Sequence, residues 1–226
     1  MSQAIIAPAL FSFPAQARVA RVVPKSKIYE HGPVTSALRD RFVGQVEQIT
    51  WAYKLAPETI NLPARGGVAE IQVFDVTLKA ADLDENVLRA IDRAIPSPII
   101  FQLHHEQRTR MVAAFKRPSE ADASKWVIDG YFAGDWLPTD GPRQPLPVAL
   151  DLQGLYEQLL RCLLPRPARP GESLPEQLQR LNRLRSLHSE HIRMEARLHK
   201  EKQFNRKVAL NAQLREIKNE IADLSA

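Results

Sequence analysis

The feature that most constrains this chain is a change of grammar near residue 165. The stretch PRPARPGESLPEQ carries four prolines and a glycine in thirteen residues, and after Pro175 neither residue recurs as far as Leu224. Proline lacks the backbone donor and clashes with the preceding helical turn, so the first stretch is a stiff, extended linker. Beyond it Leu, Arg, Lys, Gln and Glu dominate, all good helix formers. About 50 residues without a breaker form a helix of ~75 Å at 1.5 Å per residue. The sequence thus divides into a domain over residues 1–164, a linker over 165–175 and a helical arm over 176–226.

Within the arm, Leu210, Leu214, Ile217, Ile221 and Leu224 recur at steps of four, three, four and three. That is an a/d seam of about two heptads, a candidate partner seam for a coiled coil. Leu184, Leu187, His191, Met194 and Leu198 keep the same spacing in another phase, and the break falls at KEKQFNRK. A helical hairpin turning there accounts for the phase change, as does one continuous helix with two contact faces. The absence of Gly or Pro from the break favours the continuous helix.

Charge is also concentrated in the arm. Residues 1–165 hold 18 Lys/Arg and 18 Asp/Glu, whereas residues 166–226 hold 13 and 8, so the arm carries the whole net charge of +5. Arg180, Arg183, Arg185, Arg193, Arg197, Lys200, Lys202, Arg206 and Lys207 face only Glu190, Glu195 and Glu201 in the same stretch. Cations along a helix attract phosphate backbones through charge and counterion release, and Phe204 or His199 is placed to stack on an exposed base. The same pattern also serves a solvated helix face or a contact with an acidic protein.

The first two-thirds alternate helical and strand patterns. ARVARVV is extended up to Pro24; Thr35 or Ser36 caps a helix through Ile49, with Leu38, Phe42, Val46 and Ile49 on one face. A short strand around Trp51 and Tyr53 follows, then a turn at Gly66-Gly67 and the strand VAEIQVFDVTLK. Asp82 or Asp84 caps the helix DENVLRAIDRAI. PIIFQLHH, RMVAAFKR and WVIDGYFAG read as strands, and VALDLQGLYEQLLRCLL as a closing helix. Three successive strands with short links favour hairpins, so the expected fold is α+β: a mostly antiparallel sheet with helices on one face.

Several function classes fall away. One cysteine, Cys162, allows neither an internal disulfide nor a multi-cysteine zinc site. The start has no basic region ahead of its apolar stretch, and no apolar run reaches the ~18 residues of a membrane helix, which points to a cytoplasmic protein without a membrane partner. Glycine is scarce, and Gly66-Gly67 lacks the Lys and Ser/Thr of a phosphate loop. His188, His191, Glu195 and His199 share a helical stripe, but a straight helix does not converge four ligands, so a register-setting polar stripe is preferred and no metal or cofactor is assigned. No catalytic residue emerges, and a non-enzymatic role is favoured. The enzymatic alternative is a metal-dependent nuclease on Glu70 and Gln72, assisted by Lys54 or Lys79; Gln stands where such a site wants Lys.

The strings VPKSKIYE, ITWAYKLAPETINLP, EIQVFDVTLK, VLRAIDRAIPSPIIFQL and EKQFNRKVALNAQLREIK occur in this order over residues 23–222. Together they resemble a prokaryotic family, domain of unknown function 4391. The resemblance implies a genomic setting beside a DNA methylase and a superfamily 2 helicase in restriction-like anti-phage defence clusters. It supplies no catalytic residues. Its motif positions Pro24, Lys25, Lys27, Trp51, Tyr53, Lys54, Pro57 and Asn61 have no known role. The resulting expectation is an accessory subunit that docks a helicase or methylase and meets DNA through its arm. A coiled-coil module that forms homo-oligomers without DNA is the other alternative.

Overall fold

The computed structural model describes residues 10–31, 34–119 and 126–225. It falls into two compact units, Met1–Pro165 and Arg166–Ala226.

In the first unit β1 (Leu10–Ser12) leads through a 3-10 turn at Ala15–Ala17 to β2 (Arg18–Val22), α1 (Lys25–Glu30) and α2 (Ser36–Gln45). Then come β3 (Val46–Leu55), α3 (Pro57–Ile60), β4 (Ile71–Leu78), α4 (Glu85–Ala94), β5 (Ile99–His105) and β6 (Arg108–Pro118). β7 (Trp126–Ala133), β8 (Leu137–Pro138), β9 (Arg143–Pro145) and α5 (Leu152–Arg161) complete it.

The main sheet runs β2-β3-β4-β5-β6-β7, with β8 also paired to β6, and it is mixed. β4 and β5 are parallel, while β2–β3, β3–β4, β5–β6 and β6–β7 are antiparallel. The β4–β5 pair is the parallel exception in a sheet expected to be mostly antiparallel. α4 lies between β4 and β5 in sequence, and parallel neighbours need such a crossover. β1 and β9 form a separate parallel pair, which the sequence did not suggest.

The helix expected through Ile49 stops at Gln45, and Val46 and Ile49 are buried strand residues opposite Leu78 and Val76. Thr35 does cap this helix, accepting the Leu38 N–H at 3.3 Å. Ile28, Phe42, Leu88 and Ile91 from α1, α2 and α4 pack with Phe74, Val76, Phe101 and Val112 on one sheet face. On the opposite face Met111 meets Leu10, Cys162 and Leu163 around a small cavity, so β1 and the end of α5 cover that side as well. Helices on one face only was therefore too simple. The strand patterns of β4 and β5 had hidden this, because both of their faces are largely buried.

The second unit holds α6 (Leu174–Lys200) and α7 (Phe204–Ser225). It is a hairpin, not one continuous helix. Ser173 caps α6 in a reciprocal pair with Glu176. Leu184 and Leu187 from α6 and Leu214 and Ile217 from α7 are buried. Arg183 on α6 grips Glu220 on α7 with two hydrogen bonds, Nε–Oε1 at 2.7 Å and Nη2–Oε2 at 2.9 Å. At the base, Arg169, Arg180 and Arg166 donate to the last carbonyls of α7, on Asp223, Leu224 and Ser225. Those carbonyls have no partner within the helix, and cations favour its negative end.

Candidate nucleic-acid interface

The tip of the hairpin follows from what ends α6. Glu201 leaves the helix with φ −70° and ψ 135°, and its own N–H still bonds Arg197 O. Its carboxylate then turns inward on the next two donors, accepting from Lys202 N at 2.8 Å and Gln203 N at 2.9 Å. Gln203 O starts α7 by accepting Lys207 N at 3.0 Å. A side-chain carboxylate thus supplies the turn without Gly or Pro. The Gln203 amide, ahead of the Lys202 amide, holds this carboxyl below the usual range.

Around that turn the cations stand in solvent. Arg197, Lys200, Lys202, Arg206 and Lys207 are exposed, and Phe204 is 77% exposed among them. Arg206 lies 4.0 Å from Glu201. Among the described residues, Arg197, Lys200, Lys202 and Lys207 form no ion pair.

Two grooves run between the helices near the tip. One, of about 500 Å³, is lined by Arg197, Lys200, Glu201 and Arg206 with Ala209 and Leu210. The other, of about 770 Å³, holds His199, Lys207, Arg215 and Lys218 opposite Glu195, with Asn211 and two leucines. At 100° per residue, positions 197, 200 and 201 lie on the far side of α6 from positions 195, 198 and 199. The tip is therefore cationic on both flanks.

The other candidate cations divide. Arg180 is 8% exposed, its guanidinium given to Glu172 Oε1 at 2.6 Å and Pro167 O at 3.0 Å. Arg183 is held by Glu220. Arg193 donates to Ser189 O, while Arg185 is exposed. The usable positive surface lies toward the tip, and Arg180 and Arg183 build the base. Arg215 and Lys218 were not singled out from sequence. They follow Lys207 and Asn211 at helical spacing, a signal legible once α7 is recognised as a separate helix. Of the seam, Leu214 and Ile217 are buried within this unit, and Leu210, Ile221 and Leu224 are half-buried. His191 sits in the facing stripe, its Nε2 buried without a hydrogen bond and 3.6 Å from Glu195.

The motif residues of the first unit have folding work. Pro24 precedes α1, Lys25 Nζ donates to Val46 O at 2.5 Å, and Lys27 pairs with Glu30. Burial, then the Lys79 charge, lowers the Lys25 pKa. Trp51 Nε1 donates to Gln72 Oε1 at 2.6 Å, and Tyr53 stacks near Phe13 at 4.9 Å between ring centres. Pro57 opens α3, and Asn61 closes it in the left-handed region at φ 55°.

The nuclease constellation gathers only in part. Lys54 lies 3.1 Å from Glu70 and 2.8 Å from Glu58, while Ser97 Oγ donates to Glu70 at 2.8 Å. Gln72 is buried on Trp51, and Lys79 donates to Val43 O. Among the described residues no group of three His, Cys, Asp or Glu is arranged to hold a metal. On the other sheet face Asp75 accepts from Gln102 and faces His104 Nε2 at 3.2 Å, and Arg143 closes the network on Gln102 and Phe11 O. Asp75, Gln102 and Arg143 are thus joined in one hydrogen-bonded chain, and His104 Nδ1 bonds Thr109 Oγ1 at 2.9 Å.

The family described as Domain of unknown function (DUF4391) matches residues 11–221. The chain belongs to this family. Neither a curated protein nor a solved structure matches it. The DUF4391 match spans the sheet and nearly the whole hairpin, so the cationic tip lies inside the family domain. Among the described residues no helix is long and apolar enough to cross a membrane.

Proposed function

We propose that this DUF4391 protein is a non-enzymatic accessory subunit of a DNA-targeting complex, with the hairpin tip as its contact to the phosphate backbone. The observation that carries this reading is the tip itself: five exposed cations converge there, and four of them form no ion pair among the described residues. An isolated solvated helix disperses such charge along opposing acids; here the chain doubles back and brings residues from both sides of the turn together. The α+β unit is then the part that docks a partner, a helicase or methylase being the candidates that the family resemblance implies.

The test is fluorescence anisotropy with labelled duplex DNA at about 50 mM salt, using the wild-type chain and a variant with Arg197, Lys200, Lys202, Arg206 and Lys207 changed to Gln. The wild type binds, and the variant loses at least tenfold in affinity while keeping its helical circular dichroism. Equal affinity of the two proteins defeats the reading. Metal-dependent nicking of plasmid by the wild type that Glu70→Ala abolishes would replace it with the nuclease.

A further inference from the structure

The proposed DNA contact does not by itself need an aromatic side chain at the apex. Phe204 is 77% exposed and is the first residue of α7, standing on the turn rather than toward the buried Leu214 and Ile217. Its neighbours are Lys202, Gln203, Asn205, Arg206 and Lys207. Leaving a Phe ring in water forfeits the stabilisation of burial. Lys202 two positions before it and Arg206 and Lys207 just after it disfavour an apolar or basic partner there and favour a polyanion with flat apolar faces.

Nucleic acid bases have such faces, but in a duplex they are stacked on each other and shielded by the backbone. An unpaired base is open to an aromatic ring, and stacking of this kind is indifferent to sequence. The grooves suit the same ligand. A flexible single strand passing over a convex tip can place phosphates in the groove of Arg197, Lys200 and Arg206 on one flank and in that of Lys207, Arg215 and Lys218 on the other. A stiff duplex does not fold around a two-helix edge.

We infer that the hairpin tip reads single-stranded DNA, with Phe204 as the stacking platform and the flanking grooves as phosphate sites. This rests on the DNA contact proposed above and adds the form of DNA.

The experiment uses the full chain and one labelled 20-nucleotide strand, free or annealed to its complement, with wild type, Phe204→Ala and Phe204→Tyr. Because Phe204 is exposed, both substitutions leave the fold intact, which circular dichroism checks. The wild type binds the free strand more tightly than the duplex; Phe204→Ala weakens single-strand binding about tenfold and duplex binding less than twofold, and Phe204→Tyr restores it. An equal loss for both forms, or no loss for either, overturns single-strand reading while leaving the phosphate contact standing. Absence of binding to both forms overturns the two together.

Discussion

Arg183 and Glu220 stand 37 positions apart in sequence and meet through two parallel hydrogen bonds, fixing the register of α6 against α7. Bidentate Arg–carboxylate geometry is the directional form of an ion pair. The pairing sets which cations reach the tip, since a slip of one residue along α7 would rotate Arg206 and Lys207 by about 100°.

Reversing one partner therefore weakens the hairpin, and reversing both restores it in part. Arg183→Glu lowers the thermal midpoint, and Arg183→Glu with Glu220→Arg recovers some of the loss. The Arg183 guanidinium holds the Glu220 carboxyl below its usual range, so this contribution is present above the ordinary glutamate pKa and fades as pH falls through the depressed value. A double-mutant cycle followed at pH 7 and pH 3 measures it; a coupling of equal size at both pH values contradicts the assignment.

The seam inside the hairpin carries its stability. Leu214 is 6% exposed, and Leu214→Ala removes buried methyl groups at a cost of about 2–3 kcal/mol. Denaturant unfolding of wild type and variant checks it, and the neighbouring exposed change Gln213→Ala serves as the control with an effect below about 0.5 kcal/mol.

In the first unit the sharpest sensitivity lies at Lys116 and Asp92, whose side chains are 1% and 2% exposed and 3.5 Å apart. Lys116 Nζ also donates to the carbonyls of Asp92, Ile95 and Ser97 at the end of α4, and Tyr131 OH donates to Asp92. Lys116→Met leaves the buried Asp92 carboxylate without its counter-charge at pH 7, a loss of about 3–5 kcal/mol. Asp92→Asn with Lys116→Met costs less than the single change. Urea titration of the three proteins decides this.

The same pair predicts a pH signature. Burial, opposed by Lys116, pushes Asp92 up from 3.8 to about 6. A raised carboxyl favours the folded state while protonated, so its contribution is full below about pH 4 and is lost as pH rises through 6. Comparing stability from pH 4 to pH 7 in wild type and Asp92→Asn shows a decline in the former that flattens in the latter. A wild-type profile without that decline contradicts it.

Much of this was legible, and the failures have physical causes. α4 announced itself through Val87, Leu88 and Ile91, and Asp84 caps it by accepting the Asn86 N–H at 2.8 Å. The turn at Gly66-Gly67 is closed by Val68 N on Arg65 O, with both glycines at positive φ. β3 misled because its buried residues Val46, Ile49, Ala52 and Leu55 come every third position. Irregularities at Val46/Gln48 and Trp51/Tyr53 shift its register, so the strand imitates a helical period. The hairpin turn was missed because Glu201 does what Gly or Pro would ordinarily signal. Arg166 and Arg169 look like linker charge until α7 returns its carbonyls to them. The form of the tip therefore emerges only in three dimensions.

The central claim is most directly tested by the salt dependence of DNA binding. Log affinity against log salt falls with a slope of roughly 0.7 to 0.9 per phosphate neutralised. Changing Arg197, Lys200, Lys202, Arg206 and Lys207 to Gln makes that slope shallower by about 3.5 to 4.5. A variant with Arg180 and Arg183 changed to Gln keeps the wild-type slope as long as the hairpin stays folded. An unchanged slope in the tip variant, or a larger change in the base variant with its helicity intact, would place the contact elsewhere.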